Sequence, residues 1–173
     1  MALNTYVITA SILFVSIALL LFARSIIFRV LHKWAAKSDT KIDDLIIQTM
    51  KIPSIYWALA IGLYISIGTS EIPEKYSFYL IRALHLIVIL SVTLTLANLS
   101  GNLFRDYVQK TGIPIPPTGL AHGIIKGIIL ILGLLVMLNS LGISITPLIT
   151  ALGVGGLAVA LALQDTLANL FAG

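Results

Sequence analysis

The chain is 173 residues long, and its composition excludes a soluble domain with one apolar core and a wetted surface. Hydrophobic residues make up 58% of it, charged residues make up 10%, and the mean hydropathy is +1.04. These values are typical of a protein that crosses a membrane several times. The net charge of +4 is therefore interpreted by position, as loop topology, and predicts no nucleic-acid partner.

No residue pattern indicates an enzyme, a metal site or a cofactor. The chain has no cysteine, which excludes disulfides and thiolate ligands. Its three histidines (His32, His85 and His122) are widely separated. Phosphate-binding loops, nucleophile motifs and clustered carboxylates are missing from the sequence as well. We predict a protein that is not an enzyme, with no metal and no cofactor.

The first apolar stretch, residues 3–23, has the length that a membrane-spanning helix needs. No Lys or Arg precedes it and several follow it, which favours a membrane anchor with an outside N-terminus over a cleaved signal peptide. The basic region 24–51 predicts a continuation of this helix, a turn at 38–40 and an amphipathic helix. Its charges are interpreted as a cytoplasmic loop, and an anionic-lipid site is the alternative.

Two more spans are predicted at residues 52–70, opened by Pro53, and 78–104. Arg82 lies near the outer end of the third span, where an interfacial anchor is favoured over a gating or voltage-sensing role. We interpret His85 as a neutral packing residue and not a proton relay. The hydroxyl and amide side chains of this span predict hydrogen bonds between helices, and they are Ser91, Thr93, Thr95 and Asn98.

An irregular cytoplasmic loop is predicted at 105–119, where prolines cluster. From 127 to 164 the chain carries no charge, and a single helix of that length would measure about 57 Å, nearly twice the membrane core. The stretch must therefore hold two spans, 120–138 and a last helix, joined by a hairpin at 139–147. Lys126 would lie near the inner end of the fourth span and reach the interface.

These assignments predict an all-α membrane protein with five transmembrane helices in the cell membrane. Lys and Arg concentrate in the loops proposed to be inside, whereas Lys75 stands in an outer loop. This asymmetry predicts an extracytoplasmic N-terminus and a cytoplasmic C-terminus.

The final stretch, ALGVGGLAVALALQDTLANLFAG, combines small and aliphatic residues. Small side chains let neighbouring helices approach closely, and Leu157 and Leu161 share a different face. If several copies surrounded an axis, these leucines would line a pore. Polar residues then interrupt the pattern at Gln164 and Asp165, where we predict a bend and a second, amphipathic helix. The small residues expected at the helix contacts are Gly153, Gly155, Gly156, Ala158, Ala160 and Ala162.

Residues 152–173 closely resemble the pore helix of the small-conductance mechanosensitive (MscS-like) channel family, which has an LG-small-small-GLA-V-small-LALQ core and an N-L-small-small-G ending. The resemblance implies that Leu157 and Leu161 form the hydrophobic gate, that the small residues slide past each other, and that the helix bends after Gln164. Two departures stand out, since the family usually has glycine where this chain has Ala160 and Asp165.

The resemblance also implies a mechanosensitive channel that opens under membrane tension, relieves osmotic stress and assembles from seven identical subunits. Its partners would be membrane lipids, permeating ions and small solutes. Residues 1–77 would form two additional N-terminal helices with a basic cytoplasmic loop, 78–141 a tension-sensing paddle, and 142–173 the bent pore helix. The family's cytoplasmic β and α/β domains have no counterpart in these residues.

Other interpretations remain open. A secondary transporter would use Gly155 and Gly156 as a helix break, although no convergent charged midplane site supports it. A structural membrane-assembly protein would also use small-residue packing, but it would not explain the family pattern. Asp165 is interpreted either as a helix cap or as one member of a carboxylate ring that favours cations.

Overall fold

A computed structural model describes residues 2–35, 41–70, 72–111 and 119–172. Within these ranges the secondary structure is helical and includes no strand, which confirms the all-α class. The chain divides into two compact units, Met1–Met137 and Leu138–Gly173. The helices are α1 (Ala2–Ala35), α2 (Lys41–Lys51), α3 (Pro53–Thr69), α4 (Glu74–Thr111), α5 (Gly119–Ser140), α6 (Thr146–Ala162) and α7 (Gln164–Ala172).

Three helices in the described residues are long and apolar enough to cross a membrane alone: Val7–Ala35, Glu74–Val108 and Ala121–Ser140. Helices α2 and α3 meet the criterion only together, as a pair bent by 45°. Helix α6 is apolar but has 17 residues, a length of about 26 Å at 1.5 Å per residue. The protein is therefore a multi-pass membrane protein, and the count of five spans stays a prediction.

Helix α1 continues past residue 23 to Ala35 without a break, as predicted. It contains neither glycine nor proline, the two residues that disfavour a helix most. The turn predicted at 38–40 lies outside the described residues.

The loop predicted at 105–119 is wrong in its first part, because α4 stays helical as far as Thr111. Charged and polar residues such as Arg105 and Gln109 are good helix formers, and the first proline comes only at Pro114. Charge marks where a helix leaves the membrane and does not mark where it ends. The proline cluster itself lies outside the described residues.

A turn is present within the hairpin predicted at 139–147, whereas the antiparallel pairing of the two helices stays a prediction. Helix α5 ends at Ser140, and Gly142 has a positive φ of 81°. The Ile143 N–H donates to the Leu138 carbonyl at 3.0 Å, and the Gly142 N–H donates to the Asn139 carbonyl at 2.9 Å. This is a Schellman turn, in which glycine takes the left-handed position that costs other residues free energy.

Helices α1 and α3 pack through small residues. Ala58, Gly62 and Ser66 follow each other at four-residue intervals on α3, and all three are buried. A Cβ at Gly62 would lie 2.6 Å from Ile17 Cγ1, so the two backbones meet where glycine removes the side chain. The Ser66 hydroxyl also donates to the Thr9 carbonyl at 3.5 Å.

Helix α4 contacts α3 through a hydrogen bond between side chains, from Trp57 Nε1 to Ser91 Oγ at 3.1 Å. This confirms the interhelical role predicted for Ser91. The same prediction is wrong for Thr93 and Thr95, whose hydroxyls donate to carbonyls four residues earlier in α4. A threonine hydroxyl in a helix reaches its own preceding turn, so it can be satisfied without a partner helix.

Helices α4 and α5 meet at two glycines. A Cβ at Gly133 would overlap the side chain of Thr93, and one at Gly101 would overlap the ring of His122. The Gly101 carbonyl lies 3.1 Å from His122 Nδ1, within hydrogen-bond distance. Both contacts require a hydrogen atom in place of a side chain, so the two helices are held at close approach.

Candidate functional site

Helix α6 begins with Pro147 in its first turn, where the absent N–H costs no helical hydrogen bond. The Thr150 hydroxyl donates to the Thr146 carbonyl at 2.9 Å and so needs no outside partner. No residue of α6 is buried within the chain. An apolar helix with no face buried inside its own unit must be covered by lipid or by protein outside that unit.

Leu157 and Leu161 lie one turn apart on α6, and each is 62% exposed. They define the leucine face. At 3.6 residues per turn, small residues lie on both sides of it. The first flank consists of Gly155, Ala158 and Ala162, and the second flank consists of Gly153, Gly156 and Ala160.

Both flanks are open in the single chain. A Cβ built at Gly153, Gly155 or Gly156 would meet no atom within 4 Å, and the three alanines are exposed. No contact within the described residues of this unit therefore explains why these positions are small. A helix with two open small-residue flanks can accept one close neighbour on each side.

The helix breaks at Leu163, whose φ of −96° and ψ of 3° separate α6 from α7. Gln164 is the first residue of α7, and Asp165 lies in its first turn. Asp165 is therefore one position inside the helix and does not occupy the cap. A carboxylate there still faces unpaired backbone N–H groups and the positive end of the helix dipole.

The two cations predicted to lie at the membrane interface are on separate helices. The Arg82 guanidinium of α4 lies 5.6 Å from the centre of the Phe78 ring, a cation–π distance. Lys126, on α5, is half-buried. His85 is exposed on α4, with its ring 6.2 Å from the ring of Tyr64.

Sequence reasoning did not single out two contacts that depend on ring or guanidinium nitrogens. Arg24 was one charge among several in a basic region, but its side chain bonds to Ser54 and to the Lys51 carbonyl. His122 has no predicted role because the three histidines are widely separated in the sequence, yet its ring contacts the Gly101 carbonyl. The signal available for Arg24 is Pro53, because a proline breaks the helix and at this break the Ile55 N–H bonds to Ile52 and not to the Lys51 carbonyl. In the described residues, no three His, Asp or Glu side chains are grouped to hold a metal ion.

Residues 123–164 match the family described as mechanosensitive ion channel, transmembrane helices 2/3. This range begins in α5 and ends directly after the α6 break. The small-conductance mechanosensitive channel MscMJ of Methanocaldococcus jannaschii is 32% identical over 149 residues, which cover 83% of this chain and 43% of MscMJ. The chain belongs to the MscS-like family.

Two further curated proteins are also similar to this chain. The large-conductance channel MscMJLR of Methanocaldococcus jannaschii is 26% identical over 159 residues, or 88% of this chain and 44% of that protein. An uncharacterised MscS family protein of Helicobacter pylori is 53% identical over 45 residues, or 26% of this chain and 7% of that protein. This chain thus spans less than half the length of either archaeal relative. No solved structure matches it significantly.

Proposed function

We propose that this MscS-like protein is an ion channel opened by membrane tension, and that copies of α6 surround its pore. The observation that supports this most directly is the arrangement of α6, with its leucine face between two open small-residue flanks. A ring of identical chains uses two different surfaces of each subunit, and such head-to-tail contacts close into a ring when the rotation allows it. The family resemblance implies seven subunits.

In this proposal the first flank of one copy packs on the second flank of the next. The leucine faces then point to the axis, and Leu157 and Leu161 form two apolar rings about 6 Å apart along the helix. Such a constriction blocks ions by dewetting, because a crossing ion would lose water without any polar replacement. A modest widening would fill it with water and allow conduction.

Membrane tension opens the channel if the open state occupies more bilayer area, because the work done by tension scales with that change in area. We assign residues 78–141 as the paddle that moves with the lipids and residues 142–173 as the bent pore helix. Residues 1–77 would add two spans, giving five in all with an outside N-terminus and a cytoplasmic C-terminus. Release of ions and small solutes would relieve osmotic stress.

The bend at Gln164 and Asp165 would carry α7 away from the pore axis. Asp165 would stabilise the start of α7, and in a ring of copies its carboxylates would raise the local concentration of cations at the inner mouth. At position 160 this chain has alanine where the family usually has glycine, so a methyl group replaces a hydrogen atom. The second flank of this chain would therefore approach its neighbour slightly less closely than glycine allows.

Patch-clamp recording from liposomes tests the channel proposal. The full-length protein is expected to give unitary current steps under graded suction, with an open probability that rises with tension. Liposomes without protein are the control. If correctly assembled protein gave no current up to the tension at which the patch ruptures, the proposal would be contradicted. The family assignment would then be evidence of fold alone.

Cysteine crosslinking tests the proposed ring of subunits. Because the chain has no native cysteine, only the introduced cysteines can form disulfides. The double variant Ala158→Cys with Ala160→Cys places a thiol on each flank. Because a disulfide needs Cα atoms within about 7 Å, mild oxidation in membranes is expected to give a ladder of covalent oligomers ending at seven chains.

Each single cysteine variant is the matched control, and each is expected to stay monomeric because only one flank carries a thiol. A ladder from either single variant would contradict the proposed contact between different flanks. So would monomer alone from the double variant.

A further inference from the structure

The helical break between α2 and α3 deprives carbonyls of their usual donors, and the Lys51 carbonyl is one of them. Pro53 has no N–H, and α3 begins there at a 45° bend from α2. In a continuous helix the Ile55 N–H would bond to the Lys51 carbonyl, but here it donates to the Ile52 carbonyl at 3.0 Å. The Lys51 carbonyl is exposed and is therefore open to a donor from a side chain or from water.

Arg24 of α1 supplies that donor. Its Nη2 donates to the Lys51 carbonyl, and its Nε donates to Ser54 Oγ at 2.7 Å. The Ser54 hydroxyl donates in turn to the same Lys51 carbonyl at 3.0 Å. The guanidinium also lies 4.8 Å from the centre of the Phe28 ring. We call Arg24, Ser54 and the Lys51 carbonyl the break clamp.

A cavity of about 710 Å³ adjoins the break clamp. Its walls come from α1, α2 and α3, and they include Ile27, Leu31, Ile46, Met50 and Trp57 together with Arg24 and Ser54. Closely packed interiors contain few such spaces. Helix α2 also packs on α3 and α4, and the cavity leaves room beside its contact with α1.

We propose that Arg24 is a positioning residue that holds α2 at its bend, and that the break moves with membrane tension. Two arrangements compete. In the bent one the Lys51 carbonyl bonds to Arg24 and Ser54. In a straighter one the Ile55 N–H returns to the Lys51 carbonyl and the guanidinium is released to headgroup water.

If the bent helix pair occupies more bilayer area than the straighter one, tension favours the bend. Loss of the clamp is therefore expected to raise the tension needed for half-maximal opening. This coupling rests on the proposed channel function. The clamp itself does not, and it is measurable without any current.

Spin labels report the position of α2 directly. Phe22→Cys on α1 and Asp44→Cys on α2 are both at exposed positions. Asp44 lies about 12 Å along the helix from Ile52, so straightening the 45° bend would move it by roughly 9 Å. The distance distribution between the labels is measured by pulsed electron paramagnetic resonance in lipid nanodiscs.

With Arg24 present, the distribution is expected to be narrow. Arg24→Gln should broaden it or shift its mean by several ångström, and Ser54→Ala should do so less, because one donor to the carbonyl remains. Arg29→Gln is the matched control, since Arg29 is an exposed cation of the same helix, and it should leave the distribution unchanged. An unchanged distribution in both Arg24→Gln and Ser54→Ala would overturn the clamp.

The current recordings then decide the coupling. A higher midpoint tension in Arg24→Gln and not in Arg29→Gln is expected. A changed distance distribution with an unchanged midpoint would overturn the coupling to tension. If the protein without substitutions gave no tension-gated current, the proposed function would fail, whereas the distance measurement would still decide whether Arg24 holds the bend.

Discussion

The double variant Leu157→Ser with Leu161→Ser is expected to leak at rest or to open at clearly lower tension than the unsubstituted channel. Serine places a hydroxyl where each aliphatic side chain would form the proposed ring, so water and ions find hydrogen-bonding groups in the constriction. Each leucine is 62% exposed in the single chain, and neither contributes to a core whose loss would confuse the result. Midpoint tension and resting conductance in liposome patches are the measurements.

Leu152→Ser is the matched control. It makes the same substitution in the same helix, but five residues from Leu157 it lies about 140° around the axis. Its resting conductance is expected to match that of the unsubstituted protein. Equal leaks from Leu152→Ser and the double variant would argue against a gate on the leucine face, and so would a double variant with normal assembly and an unchanged threshold.

The second large effect is expected from Gly133→Ala, which should destabilise the contact between α4 and α5. The added Cβ would overlap the side chain of Thr93 and lie 2.7 Å from its Cβ. Overpacking of this kind typically costs about 1–3 kcal/mol, more than the helix propensity of up to about 1 kcal/mol that alanine gains over glycine. Thermal unfolding of the purified protein in detergent measures the loss.

Gly127→Ala is its control on the same helix, because a Cβ at Gly127 meets no atom within 4 Å. This variant should be neutral or slightly stabilised by helix propensity. Thr93→Ala in the Gly133→Ala background should recover part of the loss, since the methyl and hydroxyl groups of Thr93 are removed. If Gly133→Ala were as stable as Gly127→Ala, the close approach of α4 and α5 at this point would be wrong.

Local patterns in the sequence were sufficient for the helices and for the α5–α6 turn. The uncharged stretch is too long for one membrane span, so it predicts two helices joined by a turn. Gly142 takes the left-handed position of that turn. The polar interruption near Gln164 and Asp165 also coincides with the start of α7. Each of these features depends on residues a few positions apart, which the sequence displays directly.

Contacts between residues far apart in the sequence could not be predicted from such local patterns. The break clamp joins residues 30 apart in the chain, and neither Arg24 nor Ser54 differs by type from many interfacial residues that have no such role. The helix end predicted at residue 104 is wrong, because α4 continues through the charged residues to Thr111. The pore residues of α6 make their proposed contacts with other copies of the chain, so a single chain leaves them exposed and their roles stay predictions.

The break clamp also constrains the order of events during biosynthesis. Ser54 follows Arg24 by 30 residues, which corresponds to about 2–6 s of chain elongation at 5–20 residues per second. Until then the guanidinium lacks both acceptors, so its charge contributes to the predicted orientation of α1 independently of the clamp. Ser54→Ala, which leaves that charge in place, therefore weakens the clamp without touching the insertion signal.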